Sequence, residues 1–136
     1  MPEAGYSGTP LVKKVGVKPG HTVVLLDAPA GWTLPDLPPD VSIVNGVSRE
    51  VDIVIGFYRD RATLESGLPA VVEGLAPASA YWIAWPRKAG GHVSDITENL
   101  LRELVLPTGL VDVKVAAFDN DWSGLKFLWR KVRRKG

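Results

Sequence analysis

The sequence contains no cysteine, only two histidines and no long apolar run. The absence of cysteine excludes disulfide bonds, thiolate metal sites and cysteine-based catalysis. The apolar runs are too short to span a bilayer, and the first residues have neither the basic start nor the apolar core of a signal peptide. We therefore expect a cytoplasmic protein with no membrane partner.

Complete catalytic and metal-binding motifs are also missing. His21 and His92 have no partners at the spacing of zinc ligands. Ser7, Ser94 and Ser123 lack the Gly-x-Ser-x-Gly turn of a serine hydrolase. The sequence thus assigns no catalytic residue, no metal and no cofactor, and it favours a protein that is not an enzyme.

The composition is that of one globular domain. The chain has 136 residues, of which 46% are hydrophobic and 23% charged, and this balance is typical of a folded rather than a disordered protein. We expect a single domain over residues 1–136, with a short arm at 1–8 and a basic tail at 130–136. Five of the 16 basic residues lie in that tail, so the rest of the chain carries about −4. Such a tail either binds an anionic partner or keeps the chain end solvated.

Six segments have the pattern of β-strands and are lettered A to F in chain order. Their bounds are Thr22–Leu26, Val41–Val44, Asp52–Tyr58, Ser79–Pro86, Asp112–Phe118 and Leu125–Trp129. A short helix is expected after Thr9 and a longer one after Asp60, with a kink or break at Gly67 and Pro69. A third is expected within Ser94–Leu106, where Asp95 and Glu98 form a capping-box pattern.

The order of these segments predicts a three-layer, mostly parallel Rossmann-like α/β sheet. Two strand–helix–strand units in succession favour parallel pairing with right-handed crossovers. Strands E and F are joined by only about six residues, so they must be antiparallel neighbours. The predicted order is B-A-C-D-F-E, with F antiparallel. The link from B to C is too short for a helical crossover, which leaves the pairing of strand B (41–44) open.

A parallel sheet that closes with an antiparallel hairpin resembles the class I S-adenosylmethionine-dependent methyltransferase fold. The segment Lys18–Leu26 is similar to the lead-in to that family's first strand. The resemblance implies a glycine-rich loop after this strand and an acid after the second strand, whereas this chain has Ala28–Trp32 and Asn45 there. Gly56–Arg59 stands in place of the catalytic loop of amino-methylating members, so the resemblance implies a degenerate member.

A second resemblance covers almost the whole chain. The sequence is similar to a family of small bacterial proteins known only as domain of unknown function 3052, which implies no particular activity. The motifs that carry this resemblance are Tyr6–Leu11, Lys18–Gly20, Ala84–Pro86 with Lys88, Asp95–Glu98, Gly109–Val115 and Trp122–Phe127.

Candidate binding residues cluster in the segments that follow the strands. Asp27–Trp32 comes directly after strand A, where α/β sheets usually bind ligands. If Trp32, Trp85 and Trp122 converge at the carboxyl end of the sheet, they line an aromatic pocket; otherwise they cover the end of the core. The predicted ligand-binding set is Trp32, Trp85, Lys88, Asp95, Asp119, Trp122 and Lys126.

Two loops have alternative interpretations. Asp119–Gly124 matches the opening of an EF-hand calcium loop, but the twelfth position is Arg130 rather than glutamate and the flanks are strands, which favours a hairpin turn. Lys88–His92 is a glycine loop before a helix, which is either an anion site or a plain connector.

The sequence favours a non-catalytic module that binds a protein or small-molecule partner at the carboxyl end of its sheet. One alternative is a degenerate methyltransferase-like protein that holds a nucleoside or anion there. A second alternative is association with nucleic acid through the interleaved aromatic and basic residues of Lys126–Lys131. Self-association through an exposed strand edge is also open.

Overall fold

A six-stranded sheet forms the centre of the computed structural model, which describes residues 9–130. Its strand order is β2-β1-β3-β4-β6-β5, which confirms the predicted order B-A-C-D-F-E. The first four strands are parallel, and β6 is antiparallel to both of its neighbours. The strands are β1 (Thr22–Leu26), β2 (Ser42–Val44), β3 (Ile53–Phe57), β4 (Ala80–Pro86), β5 (Leu110–Ala117) and β6 (Trp122–Trp129). The predicted arm at 1–8 and residues 131–136 of the predicted tail lie outside the described residues.

Helices cover the two faces of the sheet unequally. The helices are α1 (Leu11–Val15), α2 (Arg61–Gly74) and α3 (Glu98–Val105), with 3₁₀ turns at Lys88–Gly90 and Leu106–Thr108. Apolar side chains of α2 and α3 pack on one face, called the α2 face here. Side chains of α1 and the segment 27–41 pack on the other, called the α1 face. The longest helix among residues 9–130 has 14 residues, and none of these helices has the length and apolarity needed to cross a membrane.

The two central strands are the most deeply buried. All five residues of β3 and all seven of β4 are buried, as expected for strands covered on both faces. β2 has only three residues and pairs in parallel with β1, which resolves the open placement of strand B. Its link to β3, residues 45–52, contains no helix and is held in place because Asp52 Oδ2 accepts a hydrogen bond from Thr22 N at 2.8 Å.

Helix α2 begins as predicted but does not break. Asp60 caps it by accepting a hydrogen bond from Thr63 N at 2.8 Å. The helix continues through Gly67 and Pro69, so the expected break into two short helices is wrong, and a kink there stays a prediction. Glu65 and Pro69 lie on the exposed side of the helix, so water can replace the donor that proline lacks.

Helix α3 begins later than the capping-box pattern predicts. Its N-cap is Thr97, whose hydroxyl accepts a hydrogen bond from Leu100 N at 3.1 Å. The predicted cap, Asp95, instead accepts from Arg61 N at 2.8 Å, in the first turn of α2. That prediction was wrong because Asp95 satisfies a free backbone N–H of a different helix, which only the tertiary structure brings near.

Candidate functional site

The carboxyl ends of β1, β3 and β4 lie at the same edge of the sheet. From β1 the chain moves outward to β2, and from β3 it moves in the opposite direction to β4, so the topological switch point falls between β1 and β3. Open α/β sheets bind ligands at this position. A cavity of about 490 Å³ lies there, on the α2 face, and we call it the switch-point cleft. Its lining residues are Leu26, Asp27, Tyr58, Ala62, Thr63, Ser66, Gly67 and Val71.

Asp27 supplies the charge of the switch-point cleft. It follows β1 directly and is exposed, with a φ of 57°, in the left-handed region that aspartate tolerates better than most residues. Within residues 9–130 its carboxylate has no hydrogen-bond or ion-pair partner. The carboxylate is therefore available to accept hydrogen bonds from a ligand.

Tyr58 forms a buried wall of the cleft. Its ring lies over Gly56 and Gly67; a Cβ on Gly56 would come within 2.5 Å of the Tyr58 hydroxyl, so the ring needs glycine there. The hydroxyl is 2.5 Å from that of Tyr81, which is fully buried and does not line the cleft. When Tyr81 donates this hydrogen bond, the hydroxyl hydrogen of Tyr58 is not used in it. That hydrogen lies beside the cavity and can be donated to an acceptor there.

Burial raises the pKa values of both tyrosines, and the hydrogen bond between them shifts the two values in opposite directions. Burial is the largest cause of the raised pKa of Tyr58; the hydrogen bond to Tyr81 opposes it and the charge of Asp27 adds to it. The pKa of Tyr81 lies well above its ordinary value because of burial, then the charge of Tyr58 and the hydrogen bond between them. Both hydroxyls therefore stay neutral at physiological pH and act only as hydrogen-bonding groups.

Two hydroxyls from α2 complete the polar lining. Thr63 Oγ1 donates to the capping carboxylate of Asp60 at 2.6 Å, which leaves only its acceptor capacity. Ser66 Oγ has no partner among the described side chains. Leu26 and Val71 make the rest of the wall apolar.

The predicted residues Trp32 and Trp122 do meet, but they fill the α1 face instead of lining an opening. The Phe57 ring contacts both indoles, with centroids 4.8 Å from Trp32 and 5.1 Å from Trp122. The Phe118 ring lies 6.3 Å from that of Trp32, and the Arg59 guanidinium lies over the Trp122 ring, 5.2 Å from its centroid. These rings therefore cover the end of the core, which is the second of the two alternatives that the sequence left open for the tryptophans.

Asp119 joins this aromatic cover to the β5–β6 hairpin. Its Oδ1 accepts from the backbone N–H groups of Asp121 and Trp122 at 2.8 and 2.9 Å. Its Oδ2 accepts from Trp32 Nε1 at 3.1 Å. Oδ1 thus closes a turn, as the hairpin interpretation of Asp119–Gly124 predicts, while Oδ2 holds the Trp32 indole. Among residues 9–130 there is no group of three or more acidic or histidine side chains placed to hold a metal.

Trp85 and Lys88 lie apart from the other predicted residues, on the α2 face. They line a second cavity of about 260 Å³ together with Ser94, Thr97 and Glu98 at the start of α3. The amides of Gly90, Gly91 and His92 donate to the carbonyls of Arg87 and Lys88 within the same loop. They are therefore not available to an anion, which favours the connector interpretation. Asp95 is engaged at the first turn of α2.

Lys126 lies in the middle of β6, opposite Trp82 of β4 and away from the carboxyl edge. Its neighbours along the strand, Phe127 and Trp129, are buried in the core of the α2 face. The alternation of basic and aromatic residues in this segment is thus the two-residue period of a strand. Those two rings are not exposed for stacking on bases, and any contact of residues 131–136 with nucleic acid stays a prediction.

Comparison with known proteins supports the fold. No family model matches the chain and no curated protein is a recognisable relative, so the resemblance to the small bacterial family stays a prediction. A SAM-dependent methyltransferase from Aquifex aeolicus is similar in structure, with a TM-score of 0.55, 12% identity and 86% of each chain covered. The fibrillarin pre-rRNA processing protein of Methanococcus jannaschii has a TM-score of 0.54 and 13% identity over 88% of this chain and 73% of its own. A TehB-like SAM-dependent methyltransferase from Corynebacterium glutamicum has a TM-score of 0.53 and 11% identity, over 88% and 85%.

These likenesses define the class of the protein: a Rossmann-like α/β fold of the methyltransferase type. At 11–13% identity they concern the fold alone. The sequence predicted a ligand position in Asp27–Trp32 but named only Trp32 of that segment as a binding residue. It did not name the cleft residues Asp27, Tyr58 and Ser66. An aspartate directly after a buried strand was the available signal for Asp27, whereas the tyrosine pair required the register of β3 and β4.

Proposed function

We propose that the protein is a non-catalytic module that binds a small molecule in the switch-point cleft. The observation that carries this proposal is the cavity of about 490 Å³ at the carboxyl ends of β1 and β3, with the carboxylate of Asp27, unpartnered among the described residues, at its side. Position and volume both suit a small ligand.

The lining favours a ligand that donates hydrogen bonds. Asp27 only accepts them, while Ser66 and Tyr58 can donate one each to an acceptor on the same ligand. Leu26 and Val71 offer contact to an apolar body. A neutral or cationic molecule with hydroxyl or amino groups fits this set, and an anion is disfavoured beside the carboxylate.

The segment after β1 supports a binding role over methyl transfer. It contains Pro29 and a single glycine, Gly31, and it forms no helix over residues 27–41, so it offers a cofactor neither a glycine-rich loop nor a helix N-terminus. Trp32 of this segment packs into the aromatic cover of the α1 face. β2 is followed by the uncharged Asn45.

A degenerate methyltransferase-like protein that holds a nucleoside is the second candidate. Its support is the fold likeness, together with the fact that ribose hydroxyls are donors suited to a carboxylate. Adenosine and S-adenosylmethionine therefore belong in the ligand panel beside polyols and amines.

A thermal-shift screen with Asp27→Asn tests the proposal. We expect a ligand from the panel to raise the Tm of the native protein, since ligand at 100 times Kd adds about 2.7 kcal/mol to its stability. The substituted asparagine keeps the left-handed backbone but loses the charge, so affinity should fall about 10- to 100-fold. Asp36→Asn is the matched control, because Asp36 is also exposed with a φ of 61° and lies outside the cleft.

The outcomes separate the two candidates. A response to adenosine or S-adenosylmethionine that depends on Asp27 supports the nucleoside candidate, whereas an Asp27-dependent response only to amines or polyols supports the broader module. A panel with no response at millimolar concentration, or responses equally weakened in Asp36→Asn, contradicts both.

A further inference from the structure

Lysine side chains gather at the end of α1, on the face opposite the switch-point cleft. Lys114 and Lys126 are cross-strand partners on β5 and β6. The Lys126 ammonium lies 3.7 Å from the position that a Cβ on Gly16, the C-cap of α1, would occupy. Lys114 Nζ donates to the carbonyl of Lys14 at 3.1 Å, and Lys18 lies two residues after Gly16.

None of Lys18, Lys114 and Lys126 forms an ion pair with a carboxylate of residues 9–130. Burial lowers the pKa of the half-buried Lys126, and the charges of Lys114 and Lys18 lower it further. Lys14 behaves likewise, with burial first and then Lys114 and Arg87. Within the same described range, Lys126 has neither an ion pair nor a hydrogen bond.

The partial negative charge at the C-terminus of α1 is too small to balance the lysine charges around it. Its carbonyls already have donors: Lys14 O accepts from Lys114, and Val15 O accepts from Trp82 Nε1 at 3.0 Å. A helix C-terminus carries the equivalent of only about half a negative charge. Lys126 and Lys18 therefore exceed what the helix end can balance.

We propose that Lys18, Lys114 and Lys126 form a binding site for a phosphate group. A phosphate brings up to two negative charges and three acceptor oxygens, which suit ammonium groups that each present several donors. The site is distinct from the switch-point cleft, because Lys126 projects to the α1 face and the cleft lies on the α2 face. The phosphate belongs either to a small phosphorylated molecule or to the backbone of a nucleic acid.

Calorimetric titration of the full chain at low ionic strength tests the site. The probes are pyrophosphate for the small-molecule source and a single-stranded oligothymidylate for the nucleic-acid source. Lys126→Met keeps the aliphatic stem but removes the ammonium, and we expect it to weaken pyrophosphate binding about 10- to 100-fold. Lys13→Met is the control: it removes the same charge from an exposed residue one position from Lys14, outside the proposed site.

Selective loss in Lys126→Met, with Lys13→Met near native, supports the site. If the oligothymidylate also binds in a Lys126-dependent way and competes with pyrophosphate, the source is nucleic acid; pyrophosphate binding alone indicates a small molecule. Absence of pyrophosphate binding, or equal loss in both variants, overturns the proposal.

The thermal stability of Lys126→Met provides a second test of the proposal. Because Lys126→Met removes repulsion between like charges, its Tm in phosphate-free buffer at low salt should equal or exceed that of the native protein. A lower Tm would mean that the ammonium already has a stabilising partner, which also overturns the proposal. None of these results depends on whether the switch-point cleft binds a ligand.

Discussion

The hydroxyl pair of Tyr58 and Tyr81 is the residue-scale feature that links the core to the switch-point cleft. The two oxygens are 2.5 Å apart, and among residues 9–130 each has only the other as a hydrogen-bond partner. Gly56 makes this contact possible, since any side chain there would occupy the space of the Tyr58 ring. A core hydrogen bond thus fixes the orientation of a cleft wall.

The raised pKa values of this pair predict a loss of stability at alkaline pH. Both groups have a higher pKa in the folded state than the ordinary value of about 10 in the unfolded chain, so the unfolded state loses protons first as pH rises. The free energy of unfolding should be fully present below about pH 10 and should fall above it. Denaturant titrations of the native protein and of Tyr58→Phe/Tyr81→Phe from about pH 8 to about pH 11 measure this. The double variant should show a shallower decline, and parallel declines would contradict the assignment.

At the scale of elements, the β5–β6 hairpin and the segment 27–41 are joined through one carboxylate. Asp119 closes the hairpin turn with one oxygen and holds the Trp32 indole with the other. The sequence predicted the hairpin correctly, because aspartate and glycine between two strand-like segments favour a turn. It did not predict the contact to Trp32, which spans 87 residues of sequence.

Asp119→Ala should therefore destabilise the protein more than an ordinary surface change. It removes three hydrogen bonds at a partly buried site, and we expect a loss of about 2–4 kcal/mol in the free energy of unfolding. Asp121→Ala is the control: it removes only an exposed ion pair with His92, with an expected cost below about 1 kcal/mol. Chemical denaturation followed by tryptophan fluorescence measures both. Equal losses in the two variants would show that the link through Asp119 contributes little.

For the whole molecule, burial is concentrated in the middle of the sheet. β3 and β4 are buried along their full length, whereas β2 is short and partly exposed and β5 exposes Val113 and Val115 by 50% each at the opposite edge. The exposed edge strand β5 has an irregular register between Asp112 and Lys114 and carries the charge of Lys114. Both an irregular register and a lysine are features by which natural sheets avoid edge-to-edge pairing.

This distribution predicts graded protection from hydrogen exchange. Amides of β3 and β4 should exchange only with global unfolding, and those of β2 should exchange fastest among the six strands, because local opening there exposes little apolar surface. Native-state exchange followed by mass spectrometry or NMR provides the test. Comparable protection of β2 and β3 would indicate that the sheet opens as one unit.

The sequence by itself determined the fold: six strands, their order and the closing hairpin. These features follow from local patterns, such as continuous apolar runs, the Asp60 cap and the short link between the last two strands, and from the handedness of crossovers. The ligand site that it predicts at the carboxyl edge of the sheet stays a prediction.

Only the tertiary structure decided which side chains face one another. Strand register places Trp85 on the α2 face and Trp122 on the α1 face, so tryptophans expected at one edge do not share a pocket. Asp95 accepts a hydrogen bond from Arg61 in the first turn of α2, 34 residues earlier in the chain. Lys126 lies beside Lys114 of the adjacent strand β5 rather than beside any residue of the cleft. A side chain's neighbours depend on contacts between distant segments, and no local periodicity contains that information.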